Sequence, residues 1–335
     1  MANKNEYDYV FPSVLIRSKE VHMLKRADLE RVCEQRDIQA AMKVLAEIGY
    51  GDGKEAADSL AADEILTESL DDAYELVFSV LPEEPEMKLF LYPSDYHNVK
   101  ALLKAEALKT DPAPFLLGGA STAPDKLAEM VRKRDFAVMS VPMKQGIAEA
   151  VENFAKSRDP QEIDIILDRA CYADMLSAAL ALGNEFVIGY VKLLIDILNM
   201  SAFIRLRRIS KSKNFFGKVF LEGGNIDKAF FEGAYDEAYA SVADKLQPYG
   251  YYEVFARGAD IADRSGSFSE LEKIFDNLRM KFAKECKFKP FGLETTAAYL
   301  IAKETEVKNL RIIFAGIASG TEPKVIAERL RETYV

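Results

Sequence analysis

The chain has few of the residues on which catalytic and metal sites depend. Its 335 residues include two histidines, three cysteines and no tryptophan. The cysteines, Cys33, Cys171 and Cys286, are far apart and form no C-x-x-C pair, which favours reduced structural thiols over a disulfide or zinc framework. The sequence has no phosphate-loop, dinucleotide, zinc-protease or nucleophile-elbow motif. We therefore predict a protein that is not an enzyme, with no catalytic residue, cofactor, small-molecule substrate or bound metal.

Basic residues are outnumbered by acidic ones, and long apolar runs are scarce. The 44 basic and 54 acidic residues give a net charge of −10, which disfavours binding to nucleic acid. A span of the bilayer needs about 18 consecutive apolar residues, and the best candidate, residues 185–208, is interrupted by four polar or charged side chains. The first six residues lack the apolar core of a signal peptide. We expect any membrane association to be peripheral or mediated by a partner.

The 12 prolines and 18 glycines fall between stretches of helical periodicity instead of inside them. Clusters such as Pro82-Glu83-Glu84-Pro85 predict turns. A long helix is predicted from Asn184 to about Arg208, and Ser94, which follows Pro93, is predicted to cap another helix. Because no segment alternates in polarity as strands do, the predicted fold class is all-α.

One short sequence motif, which we call the word, occurs three times along the chain. It reads acid, two residues, Asn, aliphatic, and its asparagines are 101 and 110 residues apart (199 − 98 and 309 − 199). A repeat of this order indicates three copies of one helical unit. The copies are Asp95-Tyr96-His97-Asn98-Val99, Asp196-Ile197-Leu198-Asn199-Met200 and Glu306-Val307-Lys308-Asn309-Leu310.

Two double glycines mark the predicted joints between these units. Gly118-Gly119 lies 20 residues after the first Asn, and Gly223-Gly224 lies 24 residues after the second. We predict helical repeats over residues 1–120, 121–223 and 224–335. Since each repeat has one apolar face that it cannot bury alone, the three are expected to pack into one compact body.

An acid and an Asn three residues apart lie on the same face of a helix. A buried Asn needs partners for its carbonyl and its amide hydrogens, so it tends to fix how neighbouring segments pack. We interpret these residues as fixing the packing of each repeat, with a common binding site as the alternative. They are Asp95, Asn98, Asp196, Asn199, Glu306 and Asn309.

A basic cluster follows the second word, at the end of the long predicted helix. Cations are favourable at a helix C-terminus, so a solvated cap is one interpretation. Contact with an acidic partner or with lipid headgroups is the other. The candidate interface residues are Arg205, Arg207, Arg208, Lys211 and Lys213.

The third word lies in a longer stretch, Lys303-Glu304-Thr305-Glu306-Val307-Lys308-Asn309-Leu310. This stretch resembles the K-E-x-E-aliphatic-basic-N-aliphatic signature of the C/d subunit of V-type and A/V-type rotary ATPases. Other parts of the chain are similar to the same family in the same order: Tyr9 to Arg17, Tyr50-Gly51, Asp95 to Ala105, and Pro290-Phe291-Gly292 with Tyr299.

The resemblance implies a funnel of three pseudo-threefold helical repeats on the cytoplasmic side of a membrane. Such a protein links the central shaft of the rotary ATPase to the membrane rotor ring and transmits torque, without being catalytic itself. It is held at the membrane through the complex. Two alternatives remain open from the residues: a generic helical-repeat scaffold for soluble partners, and an enzyme that uses Asp95 and His97.

Overall fold

A computed structural model describes residues 6–81, 85–265 and 268–335. These residues contain no strand, and the predicted all-α class is confirmed. The predicted turn around Glu83 and the first five residues lie outside the described residues. The α-helices are α1 Val10–Glu20, α2 Arg26–Cys33, α3 Ile38–Ile48, α4 Ser59–Val80, α5 Tyr92–Leu108, α6 Pro124–Lys133, α7 Val141–Ser157, α8 Pro160–Leu182, α9 Glu185–Arg208, α10 Lys213–Val219, α11 Lys228–Gly233, α12 Tyr239–Lys245, α13 Tyr252–Ser265, α14 Phe268–Lys284, α15 Leu293–Ala318 and α16 Pro323–Arg329.

The helices fall into two compact units. One consists of the segments Met1–Pro85 and Ser267–Val335, and the other of Glu86–Gly266. The first unit thus contains α1 to α4 and α14 to α16, and the second contains α5 to α13. The division into three repeats remains a prediction.

In the first unit, the long helix α15 is buried along most of its length. Its residues Val307, Leu310, Ile313 and Phe314 join a core built from α2, α3, α4 and α16. Both ends of the chain therefore contribute to one hydrophobic core, because α2 lies near the N-terminus and α16 near the C-terminus.

In the second unit, Phe203 of α9 is fully buried inside an aromatic cluster. Its ring lies 5.5 to 6.1 Å, centroid to centroid, from four other rings. Edge-to-face and tilted pairs at this distance are favourable beyond the area they bury. The four rings belong to Phe216, Phe231, Tyr235 and Phe255.

Helix α9 confirms the predicted long helix. The Asn184 side chain caps it by accepting hydrogen bonds from the backbone N–H groups of Phe186 and Val187, both at 3.1 Å. By length and composition α9 is the one helix in the described chain that could cross a membrane, although the sequence suggested that its charges prevent this. In the structure, 61% of its most apolar window is buried.

Helix α5 begins earlier than predicted. Ser94 is not its cap, because the helix starts at Tyr92 and follows directly on a 3-10 segment, Pro85–Leu91. Pro93 is tolerated in the first turn, where its missing N–H would have had no helical partner. The preceding 3-10 segment, which no local motif marks, sets the start of this helix.

The three cysteines are free and buried. Burial raises the pKa of Cys33 to about 11 and that of Cys286 to about 12, and it raises the pKa of Cys171 further. Thiols in this state are poor nucleophiles and metal ligands. They agree with the prediction of structural thiols.

We expect Phe203→Ala to destabilise the second unit by about 3–5 kcal/mol, because it leaves a cavity at the centre of the aromatic cluster. Phe115→Ala is the matched control: the Phe115 side chain is 60% exposed, and its loss should change stability by less than about 0.5 kcal/mol. Urea denaturation followed by circular dichroism measures both. Equal effects of the two variants would contradict this account of the core.

Candidate functional site

The first acid–Asn pair, on α5, contacts the segment that follows the helix. The amide Nδ2 of Asn98 donates to the carbonyl O of Leu117 at 2.9 Å, and Asn98 Oδ1 accepts from the N–H of the same residue at 2.7 Å. The Asp95 carboxylate accepts from the N–H and hydroxyl of Ser121 at 2.9 and 2.7 Å. A more distant N–H, that of Thr122, lies 3.4 Å away. We call this contact the first joint.

The second pair, on α9, makes the same contact, which we call the second joint. Asn199 bonds the carbonyl O and the N–H of Leu221, at 2.8 and 2.9 Å. The Asp196 carboxylate accepts from the N–H and side-chain amide of Asn225 at 2.9 and 2.8 Å. It also accepts from the N–H of Ile226 at 3.1 Å and from the Tyr251 hydroxyl at 2.9 Å.

The third pair, on α15, forms the third joint. Asn309 bonds the carbonyl O and the N–H of Arg331, at 3.2 and 2.8 Å. Glu306 Oε2 accepts from the N–H of Leu24 at 2.7 Å. Its other oxygen, Oε1, accepts from the Lys303 ammonium at 2.6 Å.

The three joints differ in how the chain reaches them. In the first joint, the residues that bond the Asn and the acid are Leu117 and Ser121, four apart (121 − 117); in the second, Leu221 and Asn225 are also four apart (225 − 221). In the third joint these roles fall to Arg331 and to Leu24. In the first two joints, one continuous segment bonds both the Asn and the acid. In the third joint, a segment near the C-terminus bonds the Asn and a segment near the N-terminus bonds the acid, so this joint holds those two segments together.

The double glycine of the second joint is required by close approach. A Cβ atom on Gly224 would lie 2.3 Å from Asp196 Oδ1, and Gly223 has a φ of +97° with a neighbouring Leu176 side chain in the way of a Cβ. Any other residue at these two positions would have to displace the Leu176 or the Asp196 side chain, and at Gly223 it would also be strained by the positive φ. Gly223-Gly224 thus lies where the Asp196 carboxylate meets the following segment.

Burial dominates the electrostatics of the joint aspartates. It raises the pKa of Asp95 and of Asp196 from the ordinary carboxyl value, even though hydrogen bonds to the charged form act in the opposite direction. At Lys303, burial alone would lower the pKa, but the Glu306 carboxylate together with Tyr50 and Tyr299 outweighs burial, and the pKa is raised. The third joint therefore keeps its acid beside a cation, and the first two rely on neutral donors.

Residues of the family-like signature line a cavity of about 340 Å³ in the first unit. The Lys303 ammonium lies 4.5 Å from the ring centre of Tyr50, and its ion pair with Glu306 is buried. Tyr299 lines the same cavity. This arrangement fixes α15 against the segment around Tyr50.

The basic cluster does not form one free surface. Arg207 is half-buried: it donates to the carbonyl O of Glu237 at 2.6 Å, and its guanidinium lies 4.2 Å from the ring centre of Tyr239. Arg205 is also half-buried. The exposed members are Arg208, Lys211 and Lys213. A role in contacting a partner remains a prediction for these residues.

Asp95 and His97 do not face a common partner. Asp95 bonds Ser121, whereas His97 Nε2 lies 3.0 Å from the carbonyl O of Phe115. Residues two apart project from different sides of a helix. Within the described residues, no group of three His, Cys, Asp or Glu side chains could hold a metal ion.

Sequence reasoning missed the support around the third joint. Asp276 of α14 is buried and accepts from the Lys308 ammonium at 2.6 Å and from Arg331 Nε at 2.8 Å. The charge of Lys308, which lies inside the repeated word, was the one sign in the sequence of an acidic partner. Nothing in the sequence around Asp276 marks it as that partner.

The profile of the ATP synthase (C/AC39) subunit family matches residues 12–329 of the chain. The match covers all three joints except the bonded Arg331. The chain belongs to the ATP synthase (C/AC39) subunit family.

Curated relatives agree over nearly the whole length. The C subunit of the A-type ATP synthase of Pyrococcus abyssi is 24% identical, with 97% of this chain and 90% of the relative aligned. Its counterpart from Methanocaldococcus jannaschii is 24% identical over 96% of this chain and 86% of the relative. The C subunit of the V-type sodium ATPase of Enterococcus hirae is 22% identical over 98% and 99%. The predicted membership in this family is confirmed.

We expect Asn309→Ala to release the C-terminal segment of this family member. The change leaves the buried N–H and carbonyl of Arg331 without the partner they share, at about 1–3 kcal/mol for each group. Hydrogen exchange at residues 331–335 should become faster, while exchange at Leu221 in the second joint stays unchanged. Asn153→Ala is the control, because the Asn153 amide is exposed and bonds the Glu149 carbonyl of its own helix. Unchanged exchange at residue 331 would show that the amide does not hold this segment.

Asp276 makes the first unit sensitive to acid. Burial alone would raise its pKa, but Lys308 and Arg331 outweigh burial and the pKa is lowered. A lowered folded-state pKa means stabilisation that is present above the usual carboxyl pKa of about 3.9 and is lost as the pH falls through the folded value. Asp276→Asn should therefore be less stable than the wild type at pH 7, with a difference that shrinks in acid. Urea denaturation at pH 7 and at an acid pH below the usual carboxyl pKa tests this. A difference in the free energy of unfolding that is the same at the two pH values would contradict it.

Proposed function

We propose that the chain is the non-catalytic central-stalk adaptor of a V-type or A/V-type rotary ATPase or ATP synthase. It links the rotating shaft to the membrane rotor ring and transmits the torque that couples ATP hydrolysis or synthesis to proton or sodium transport. The observation that carries the proposal is the match to the ATP synthase (C/AC39) subunit family from residue 12 to residue 329. The named relatives are subunits of A-type ATP synthases and of a V-type sodium ATPase.

A torque-transmitting adaptor needs a stiff body. The three joints support this requirement, because each one anchors a long helix to another segment through two hydrogen bonds of a buried asparagine. Their common geometry also supports three repeats of one helical unit, which we propose to form a pseudo-threefold body with the shape of a funnel. In that arrangement the third joint closes the body, since it brings the two ends of the chain together as the other joints bring neighbouring repeats together.

The adaptor also needs two adhesive faces. We place the foot of the shaft in the mouth of the funnel and the rotor ring on the opposite face, on the cytoplasmic side of the membrane. A ring contact of standard size, about 1,600 Å² in total, would hold without covalent links. The protein would then be peripheral and retained at the membrane through the complex.

The first test is a pull-down of the tagged chain from gently solubilised membranes. We expect recovery of shaft proteins, nucleotide-binding head proteins and a small, very apolar ring protein. A monomer recovered without membrane partners would overturn the adaptor role and favour a helical-repeat scaffold for soluble partners. Solution scattering separates the two as well, because the funnel is compact and an open repeat array is elongated.

The exposed part of the basic cluster gives a sharper test of one face. We expect Arg208→Glu, Lys211→Glu and Lys213→Glu together to reduce recovery of partners by at least about tenfold while helicity is retained, because charge reversal at an interface costs several kcal/mol. Arg207 is left unchanged, since its packing on Tyr239 would be lost.

The matched control reverses three exposed cations of α6, Lys126, Arg132 and Lys133, and so makes the same change in net charge. It should leave recovery near the wild-type level. If both triple variants lose partners equally, total charge decides assembly and the cluster has no special part. If neither loses them, the cluster is outside the interface.

A further inference from the structure

The cavity in the first unit around the Lys303 and Glu306 side chains is large enough for a ligand. Its volume of about 340 Å³ is many times the space that one buried water needs. It lies at the lower end of the range for small-molecule pockets, about 300–1,000 Å³. Helices α1, α4 and α15 and the turn after α3 all contribute to its lining. We call it the Lys303 cavity.

The buried part of this lining carries hydrogen-bond donors that lack acceptors. The Tyr50 side chain is 7% exposed, and its hydroxyl makes no hydrogen bond to any residue that the structure describes. Ser69 and Lys303 lie close enough to lower the pKa of this hydroxyl, but burial outweighs them and keeps it protonated. The Lys303 ammonium has three N–H donors, and among the described residues it bonds Glu306 Oε1 alone. Because a buried donor without an acceptor costs free energy, an acceptor group placed here would bind favourably.

Two glycines fix where the Tyr50 ring lies. Gly49 and Gly51 have φ angles of +88° and +71°, in the left-handed region that favours glycine. Gly49 ends α3, and the N–H of Tyr50 donates to the carbonyl O of Leu45 at 2.9 Å. The backbone on both sides of Tyr50 therefore sets its place in the lining, 4.5 Å from the Lys303 ammonium to the centre of its ring.

The charges of the lining balance. It contains three cations and three acids (3 − 3 = 0), with His22 neutral. Phosphate, which carries more than one negative charge, would meet the acids as well as the cations. A molecule whose own charges cancel matches such a lining. The cations are Lys19, Lys54 and Lys303, and the acids are Glu68, Asp72 and Glu306.

We propose that the Lys303 cavity binds a small zwitterion of the amino-acid type. The ligand's carboxylate would accept hydrogen bonds from the Lys303 ammonium and the Tyr50 hydroxyl, and bonds to a charged group are the strong ones. Its ammonium group would face Asp72 of α4, an exposed acid that pairs with no cation in the described part of the chain. The ligand would thus join α15 to α4 and stabilise the first unit.

This inference goes beyond the adaptor role, which needs only protein partners. The zwitterion is a bound ligand in which no bond is made or broken, so the chain needs no catalytic group for it. The two proposals fail separately, because ligand binding is measured on the isolated full-length chain and the adaptor role by recovery of partner proteins.

The test is thermal unfolding of the full-length chain, followed by circular dichroism, with each of the protein amino acids in turn. We expect at least one of them to raise the unfolding temperature with a saturable concentration dependence, because a ligand that binds only the folded state stabilises it. Acetate, ethylamine and inorganic phosphate, at the same ionic strength, present a carboxylate alone, an ammonium alone and a multiply charged anion. Each should raise the unfolding temperature less.

Two variants test the two ends of the ligand. Tyr50→Phe should weaken binding about threefold to tenfold, since it removes one hydrogen bond. Its unfolding temperature without ligand should not fall, because the hydroxyl makes no hydrogen bond in the free chain. Asp72→Asn should weaken binding of the amino acid about twofold to fivefold, as the loss of an exposed ion pair does, and leave binding of acetate unchanged.

The control variant is Tyr235→Phe in the second unit. The Tyr235 hydroxyl donates to the carbonyl O of Lys211 at 3.0 Å, so the variant loses a hydrogen bond and its unfolding temperature should fall. It should bind the amino acid as the wild type does. Tyr50→Phe and Tyr235→Phe thus have opposite expected effects on stability and on binding.

Four outcomes would overturn the proposal. No amino acid raises the unfolding temperature, or acetate or phosphate raises it more than every amino acid does. Tyr50→Phe binds as tightly as the wild type, which would leave the unpaired hydroxyl without a part in binding. Finally, no amino acid binds the wild type, but Tyr50→Phe loses protein partners in the pull-down, which would assign the Lys303 cavity to a protein contact.

Discussion

The arrangement of this chain depends on one interaction made three times: a buried asparagine amide that bonds both the N–H and the C=O of a single backbone residue. A side-chain amide has the same donor and acceptor as a peptide group, so it can pair with a residue as a neighbouring strand would. At the second and third joints, where these bonds are buried, breaking the contact leaves two buried backbone groups unsatisfied, which costs more than an intact bond contributes. Each of the three helices is thereby fixed to a segment outside it.

The third joint has to overcome a larger loss of chain entropy than the other two. Asp95 and Ser121 are 26 residues apart, whereas Glu306 and Leu24 are 282 apart. Loop-closure entropy grows with the logarithm of this separation, so the longer closure costs about 2 kcal/mol more when nothing else has drawn the ends together. The third joint also has the most charged contacts, with Lys303 beside Glu306, and Asp276 beside Arg331.

What could be predicted from the sequence depends on whether an interacting group is a side chain, which the sequence shows, or a backbone group, which it does not. The repeated word, the all-α class and the bounds of α9 were accessible, because periodicity, caps and repeated residues are local. The bonds of Asn98 and Asn199 to Leu117 and Leu221 were not, since their partners are backbone groups that any residue could supply. The start of α5 was mispredicted for a related reason: the preceding 3-10 segment, and not a capping side chain, sets it.

The order of the word, acid before Asn, has a chemical reason. A carboxylate only accepts hydrogen bonds, and at the second joint Asp196 accepts four, from two N–H groups, an amide and a phenol. An asparagine there would turn an NH₂ group toward donors and leave some of them unpaired. One helical turn later the partner residue offers both a donor and an acceptor, which only the amide can match. Burial makes the charged aspartate costly, as its raised pKa indicates, yet no neutral side chain would satisfy the same donors. The acid and the amide are therefore not interchangeable, and the two functions together explain why the word recurs with its order and spacing intact.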